Sequence, residues 1–264
     1  MRALWTAASG MKAQQLNMDT ISNNLANVNT TAYKKQKVEF KDLLYANLRT
    51  TNLVDGEGSP VNLQVGHGVM PVATSRMFTT GNLERTDNPL DMGINGEGFF
   101  VIEDPNGNRF YTRDGNFKLS VEFDEMRLVT SDGYTVLSDF DDAIYFDSTM
   151  KDIAVNASGV ITAELEDGEI EEIGTIALTK FINSEGLEAV GKNLYKETVA
   201  SGEPIYMEEE ERTSDIMQYY LETSNVQIVD EMVRLITAQR AYEINSKSIQ
   251  TADEMLGMAN NLKR

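Results

Sequence analysis

One histidine, His67, and no cysteine in 264 residues set the first limit on chemistry. Without Cys there is no thiolate nucleophile, no disulfide framework and no Cys-based zinc or iron–sulfur site. One imidazole cannot build a multi-His zinc, copper or non-haem iron centre, and a Ser–His–Asp triad would have to recruit that single ring. His67 lies in Gly66-His67-Gly68 and reads as a loop residue. Asp104-Pro105-Asn106-Gly107-Asn108 opens like a calcium loop, but Arg109 stands where Gly is required and Gly115 where Glu is required, which predicts a β-turn. Gly93-Ile94-Asn95-Gly96-Glu97-Gly98 has the wrong spacing for a dinucleotide loop and leads into a β-prone run, where the fingerprint needs a helix. The run Glu208-Glu209-Glu210-Glu211 reads as a solvated loop. Carboxylate pairs are available throughout a chain with 42 Asp and Glu, so their presence marks no glycosidase-type site. The reading is of a protein that is not an enzyme, with no cofactor and no metal.

Composition points to a packed soluble protein of one large or two modest domains, at 41% hydrophobic and 25% charged residues. A net charge of −19 argues against nucleic acid as a partner. The charge is unevenly placed. Residues 1–50 hold seven Lys and Arg against three Asp and Glu, residues 51–212 eleven against thirty-two, and residues 213–264 five against seven. Either the middle is simply a well-solvated acidic domain, or the ends and the middle face different surroundings. There is no apolar run of about 18 residues, so no membrane-spanning helix is expected. The opening Ala3-Leu4-Trp5-Thr6-Ala7-Ala8-Ser9-Gly10-Met11 is broken by polar residues and flows into Lys12-Ala13-Gln14-Gln15, unlike a cleavable signal peptide.

The elements that must organise these residues differ along the chain. From Leu4 to about Val28 there is no Pro and one Gly, and steps of four and three give Leu4, Ala8, Met11, Gln15, Met18, Ser22 and Leu25. That is a narrow, soft seam of coiled-coil type. Val226 to Leu262 runs without Pro, with seam residues Ile228, Met232, Leu235, Gln239, Tyr242, Ser246, Ile249, Asp253 and Leu256. A rotated set, including Val229, Val233, Ile236, Ile244, Met255 and Met258, makes this helix apolar on more than one face and suggests several helical neighbours. Asn17, Asn23, Asn24, Asn27 and Asn29 are weak helix formers. They predict either a helix ending near Asn23 in Asn-rich caps, or amides buried to fix helix register.

Between the ends the period changes. Asn95-Gly96, Asn106-Gly107, Asp114-Gly115, Asp132-Gly133, Ser158-Gly159 and Asp167-Gly168 punctuate short β-prone runs such as Phe99-Phe100-Val101-Ile102, Tyr134-Thr135-Val136-Leu137 and Val160-Ile161-Thr162. This predicts an antiparallel β domain. Residues 46–70, rich in Gly and Thr, read as extended or flexible connection.

The two ends also carry a resemblance. Leu4-Trp5-Thr6-Ala7-Ala8-Ser9-Gly10-Met11, with Ile21-Ser22-Asn23-Asn24-Leu25-Ala26-Asn27-Val28-Asn29-Thr30, resembles the N-terminal signature of the bacterial flagellar rod and hook proteins. Ala32-Tyr33-Lys34-Lys35-Gln36, Val69-Met70-Pro71-Val72, Asn95-Gly96-Glu97-Gly98-Phe99-Phe100, Leu221-Glu222-Thr223-Ser224-Asn225-Val226 and the closing Gln239-Arg240-Ala241-Tyr242-Glu243-Ile244-Asn245 resemble the distal-rod branch of that family. The acidic passage Tyr206 to Arg212 departs from the family's neutral, Gly-rich one.

The resemblance implies an α+β subunit: long N- and C-terminal helices forming a coiled-coil inner layer around a channel, with a central antiparallel β domain outside. It implies a structural role in the basal-body distal rod, a tubular drive shaft of helically arranged copies outside the cytoplasmic membrane. Implied partners are further copies of the chain, proximal rod and hook proteins, ring proteins and the flagellar export apparatus. The expected organisation is a core helix over 1–32, an extended connector over 33–88 holding a rod-specific stretch at 46–68, a β-rich outer domain over 89–205, a return connector over 206–223 and a core helix over 224–264. The expected subunit interface comprises Leu4, Met11, Met18, Asn23, Asn24, Leu25, Asn27 and Val28, with Ser224, Asn225, Val226, Ile228, Met232, Leu235, Gln239, Arg240, Tyr242, Ile249 and Leu256. A proximal rod or hook subunit is the nearest alternative, although hook proteins are much longer. From other classes, a coiled-coil adaptor and an acidic-site hydrolase are the alternatives weighed.

Overall fold

A computed structural model of the chain describes residues 2–49, 63–122, 125–147, 150–165, 169–207 and 214–261. Positions 50–62 of the stretch expected at 46–68, the Asp167-Gly168 turn and the acidic run at 208–211 lie outside the described residues. Contacts group the chain into two units that do not follow chain order. One comprises Met1–Ala26, Gln36–Arg76 and Gln227–Arg264; the other comprises Asn27–Lys35 and Met77–Val226.

The first unit holds helix α1 (Arg2–Ala26), helix α2 (Ile228–Asn261) and strands β1 (Gln36–Asp42), β2 (Tyr45–Arg49), β3 (Leu63–Gly66) and β4 (Val69–Arg76). Helix α1 runs straight through Asn23 and Asn24 and does not cap there. Asn destabilises helices by competing for its own backbone, and Asn24 is instead engaged elsewhere, as described below. Helix α2 opens with Asp230 and Glu231 in its first turn, where negative charge suits the exposed amide dipoles. Strands β1 and β4 pair antiparallel, with a bulge that sets Phe40 opposite Pro71 and Glu39 opposite Ala73. Proline lacks the amide a ladder needs, and a bulge is where a sheet accommodates it. Strands β2 and β3 pair with each other, Tyr45 opposite Gly66 and Ala46 opposite Val65, so both ends of the 46–70 stretch expected as extended or flexible connection are instead strand, a two-stranded ribbon followed by the start of β4.

The second unit is β-rich. Its strands are β5 (Leu83–Arg85), β6 (Met92–Asn95), β7 (Phe99–Glu103), β8 (Arg109–Thr112), β9 (Phe117–Glu122), β10 (Glu125–Thr130), β11 (Thr135–Val136), β12 (Tyr145–Asp147), β13 (Lys151–Val155), β14 (Val160–Glu164), β15 (Ile170–Thr175), β16 (Leu178–Lys180), β17 (Glu188–Gly191), β18 (Leu194–Lys196), β19 (Ile205–Tyr206), β20 (Asp215–Gln218) and β21 (Tyr220–Glu222). Among the described residues every pairing is antiparallel. With its two terminal helices the chain is α+β.

Strand β7 explains the core. Side chains alternate across a strand, so a strand apolar at four successive positions, Phe99 to Ile102, must be covered on both faces. Phe100 and Ile102 join Met92, Phe117, Leu128 and Ile176 in one cluster, while Phe99 and Val101 join Tyr111, Phe181 and Tyr195 in another. Edge-to-face ring pairs, such as Phe100 with Phe117 at 5.1 Å and Phe99 with Phe78 at 5.3 Å, lock the rings.

The turn reading needs one correction. Asn106-Gly107, Asp132-Gly133 and Ser158-Gly159 close hairpins, as β7–β8, β10–β11 and β13–β14. Asn95-Gly96 and Asp114-Gly115 do not, because the strands flanking them pair elsewhere: β6 with β20, and β9 with β10. Their glycines answer to close packing instead. A Cβ on Gly115 would meet the Met92 carbonyl oxygen at 1.6 Å. Within the expected return connector at 206–223, residues 215–222 are strand, with β20 against β6 and β21 against β5.

Candidate assembly interface

Helices α1 and α2 pair antiparallel. Asn24 meets Glu231, and an added Cβ on Gly10 would lie 2.9 Å from the Asn245 amide nitrogen, fourteen residues away on each helix. The buried side chains of the two helices are mostly small or polar: Ala7, Ala13, Thr20 and Asn24 on α1, with Ile21 the one large apolar residue among them, and Glu231, Ala238 and Ala252 on α2. Small residues let two helices approach closely. The consequence is that the large apolar residues of α2 are left on the outside. Val229, Val233, Ile236 and Ile244 are 73%, 56%, 48% and 66% exposed, and Ile228, Met232 and Leu256 are exposed as well. Because Gly10 faces Asn245, α1 ends opposite the region of Asp253, and the last turns of α2 with Met255 and Met258 overhang it.

An asparagine amide holds each unit's side of the Lys35-Gln36 step, Asn24 buried and Asn225 half-buried. In the helical unit, Asn24 Oδ1 accepts the Gln36 backbone N–H at 2.9 Å, and its Nδ2 donates to the Gln36 carbonyl at 2.9 Å and to Glu231 Oε2 at 3.1 Å. In the β-rich unit, Asn225 Oδ1 accepts the Lys35 N–H at 2.8 Å, and its Nδ2 donates to the Met77 carbonyl at 2.8 Å and to Thr79 Oγ1 at 3.0 Å.

A third feature escapes sequence reasoning. Lys34, Arg113 and Glu222 form a fully buried ion cluster in the β-rich unit. Lys34 Nζ donates to Glu222 Oε1 at 2.5 Å and to the Thr79 carbonyl at 2.8 Å. Arg113 Nε donates to Glu222 Oε2 at 2.7 Å, and its terminal nitrogens donate to the carbonyls of Gly98 at 3.1 Å and Gly96 at 2.8 Å. The Gly81 amide adds a 2.6 Å bond to Glu222 Oε1. Two cations share one carboxylate. Burial pushes the Lys34 ammonium down to about 8, Arg113 adds to the fall, and Glu222 opposes it. No spacing announces this cluster: Lys34 stands beside a second lysine, and 109 residues separate Arg113 from Glu222.

The expected interface residues therefore divide. Asn24, Ser224 and Val226 are buried inside the chain, and half-buried Asn225 holds the chain's own backbone. Leu4, Met11, Met18, Leu25, Asn27, Val28, Leu235 and Ile249 are half-buried. Asn23, Ile228, Met232, Gln239, Arg240, Tyr242 and Leu256 are exposed. The four-and-three count from Ile228 follows a strip beside the one that meets α1, which steps through Glu231, Ala238, Asn245 and Ala252. A search for apolar side chains passes over a contact made of alanine and amides. His67 is an exposed loop residue whose Nδ1 lies 2.8 Å from the Leu44 carbonyl.

Three family profiles match the chain: flagella basal body rod protein at residues 4–34, the flagellar hook protein FlgE/F/G D1 domain at 93–163, and the flagellar basal body rod FlgEFG protein C-terminal domain at 217–262. Lys34, Arg113 and Glu222 come one from each matched stretch. Among relatives, the flagellar basal-body rod protein FlgG of Borreliella burgdorferi is 47% identical over 100% of this chain and 99% of its own length. Proteins of the same name from Caulobacter vibrioides and Bacillus subtilis are 43% and 34% identical, each over 100% of both chains. Identity at that level from end to end, on terminal helices that leave apolar faces bare, settles the kinship: the chain belongs to the flagellar basal-body rod protein family, as a structural subunit of the rod.

Proposed function

We propose that the chain is the distal-rod subunit, and that its copies pack through α1 and α2 into a coiled-coil inner layer of a tubular drive shaft carrying torque from motor to hook. The observation that carries this reading is the outward strip of α2. Val229, Val233, Ile236 and Ile244 point away from α1, and the end of α2 reaches beyond it. Burying one such side chain contributes about 1.5–3 kcal/mol. Apolar strips on more than one side of a helix are covered by several neighbours at once, and repeated heterologous contacts that do not close generate a helical tube. Leu4, Met11, Met18, Leu25, Ile228, Met232, Leu235, Gln239, Arg240, Tyr242, Ile249 and Leu256 are the residues assigned to those contacts. The β-rich unit with its acidic surface faces outward, toward ring proteins. Proximal rod and hook proteins cap the two ends of the stack, and subunits arrive through the flagellar export apparatus. The role is mechanical, with no catalytic step.

Negative-stain microscopy of the concentrated full-length chain tests this. Straight tubes are expected. Discrete small oligomers would instead favour an adaptor that uses its helices for one fixed partner.

A further inference from the structure

We propose that Asn24 and Glu231 are a register lock: they fix the axial alignment of α1 against α2 and so decide which residues of α2 remain outside. The consequence for assembly rests on the rod reading above, whereas the lock is a property of the single chain. Away from this node and Ile21, buried one turn before it, the N-terminal half of α1 offers little to distinguish one alignment on α2 from the next. Ala7, Gly10 and Ala13 on α1 face a strip of α2 in which Ala238 and Ala252 stand seven residues on either side of Asn245. A slip of one heptad would again set small residues against small residues. Asn24 is different. It is 1% exposed, pairs with both backbone groups of Gln36 and donates to Glu231, itself 1% exposed. Slipping one heptad in one direction sets Asn24 against Ala238, separating a buried amide from a buried carboxylate. Slipping in the other carries it past Ile228, the first residue of α2. Each alternative strands polar groups without partners in a place closed to water, a cost that apolar seams lack. A buried polar residue that specifies register is the best-supported use of such groups between helices.

The pairing with Gln36 extends the lock to β1, whose first residue is held at a fixed height on the helix pair. Glu231 also has Arg234 Nη1 at 3.8 Å from its second oxygen, so the carboxylate faces an amide on one side and a guanidinium on the other.

The absence of cysteine from the sequence makes register directly readable. Gly10→Cys is combined in the full-length chain with Asn245→Cys for the native register, or with Ala238→Cys or Ala252→Cys for the two slipped ones. An ideal Cβ at Gly10 stands 3.3 Å from Asn245 Cγ, within reach of disulfide geometry. Under mild oxidation the 10–245 pair should dominate. Adding Asn24→Leu should raise the slipped disulfides on the order of tenfold relative to the native one, since the stranded amide no longer penalises them. Asn24→Asp should do the same, since a carboxylate can donate neither to the Gln36 carbonyl nor to Glu231. Slipped disulfides that stay at background with Asn24→Leu, or with Asn24→Asp, would overturn the lock. Loss of all three disulfides together with helical circular dichroism would also overturn it, since Asn24 would then hold the helices and not their alignment. Slipped disulfides alongside rods of normal form would leave the lock standing and count against the rod reading.

Discussion

Replacing Glu222 with Gln removes the one negative charge between two buried cations, and the structure sets the size of the loss. The carboxylate has Lys34 Nζ at 2.5 Å on one oxygen and Arg113 Nε at 2.7 Å on the other. With the carboxylate gone, Lys34 sheds its proton. At pH 7, below its value of about 8, that costs on the order of 1 kcal/mol. Losing a charged hydrogen bond to Arg113 costs about 1.5–3 kcal/mol more. The total, about 3–4 kcal/mol, agrees with what breaking a buried pair from one side costs in general. For a unit of roughly 160 residues, that lowers Tm by about 6–16 °C. The assay is a circular dichroism or calorimetric melt of the full-length chain, wild type beside Glu222→Gln, at pH 7 and at pH 9. Above pH 8 the wild-type lysine is increasingly neutral in the folded state, so the Lys34 share of the difference disappears and the gap between the two proteins narrows by on the order of 1 kcal/mol. A fall in Tm under about 2 °C at pH 7 would refute the reasoning. So would a gap that widens toward pH 9.

Further outcomes follow from the same geometry. Between pH 8 and pH 10.5 the unfolded chain holds the Lys34 proton that the folded chain has released, so this group makes stability rise with pH; Lys34→Met should abolish that rise in a pH series of melts. Val233→Asp places a carboxylate on the outward strip, so motility and rod formation should fail while the monomer's melt stays within about 0.5 kcal/mol of wild type; a normal rod would show that this strip meets no neighbour. Deleting 46–68 should leave the transition of the β-rich unit unchanged, because β2 and β3 pair with each other, and should alter rod shape or length; loss of that transition would show that the stretch supports the β core. Intact mass of subunits from assembled rods should include residues 2–26, since α1 supplies one side of the helix pair.

Local periodicity was informative wherever local rules decide. Chains without Pro and with repeating apolar positions became α1 and α2, and the unbroken apolar run of β7 became a strand buried on both faces, because helix and strand periods are properties of a few neighbouring residues. Hairpins were readable where Gly closes a two-residue reversal, as at Asn106-Gly107. They were not readable at Asp114-Gly115, where the glycine serves a close backbone approach from a strand far along the chain. The amides of the terminal segments were recognisable as unusual; Asn24 lies within α1, buried and bonded to Gln36 and Glu231, and caps no helix end.

The sequence by itself determined that this is an α+β chain with helical ends, a β-rich middle, no thiol chemistry and a family signature at both termini. Only the tertiary structure decided which face of each helix turns inward. Seam counting favours the largest side chains, whereas two helices of one chain come closest where residues are smallest, so the alanine and amide strip closed within the chain and the apolar strip stayed outside. The ion cluster was likewise invisible. A lysine, an arginine and a glutamate have no preferred spacing, and their energy depends on a shared dry site that exists only once segments separated by up to 188 residues have met.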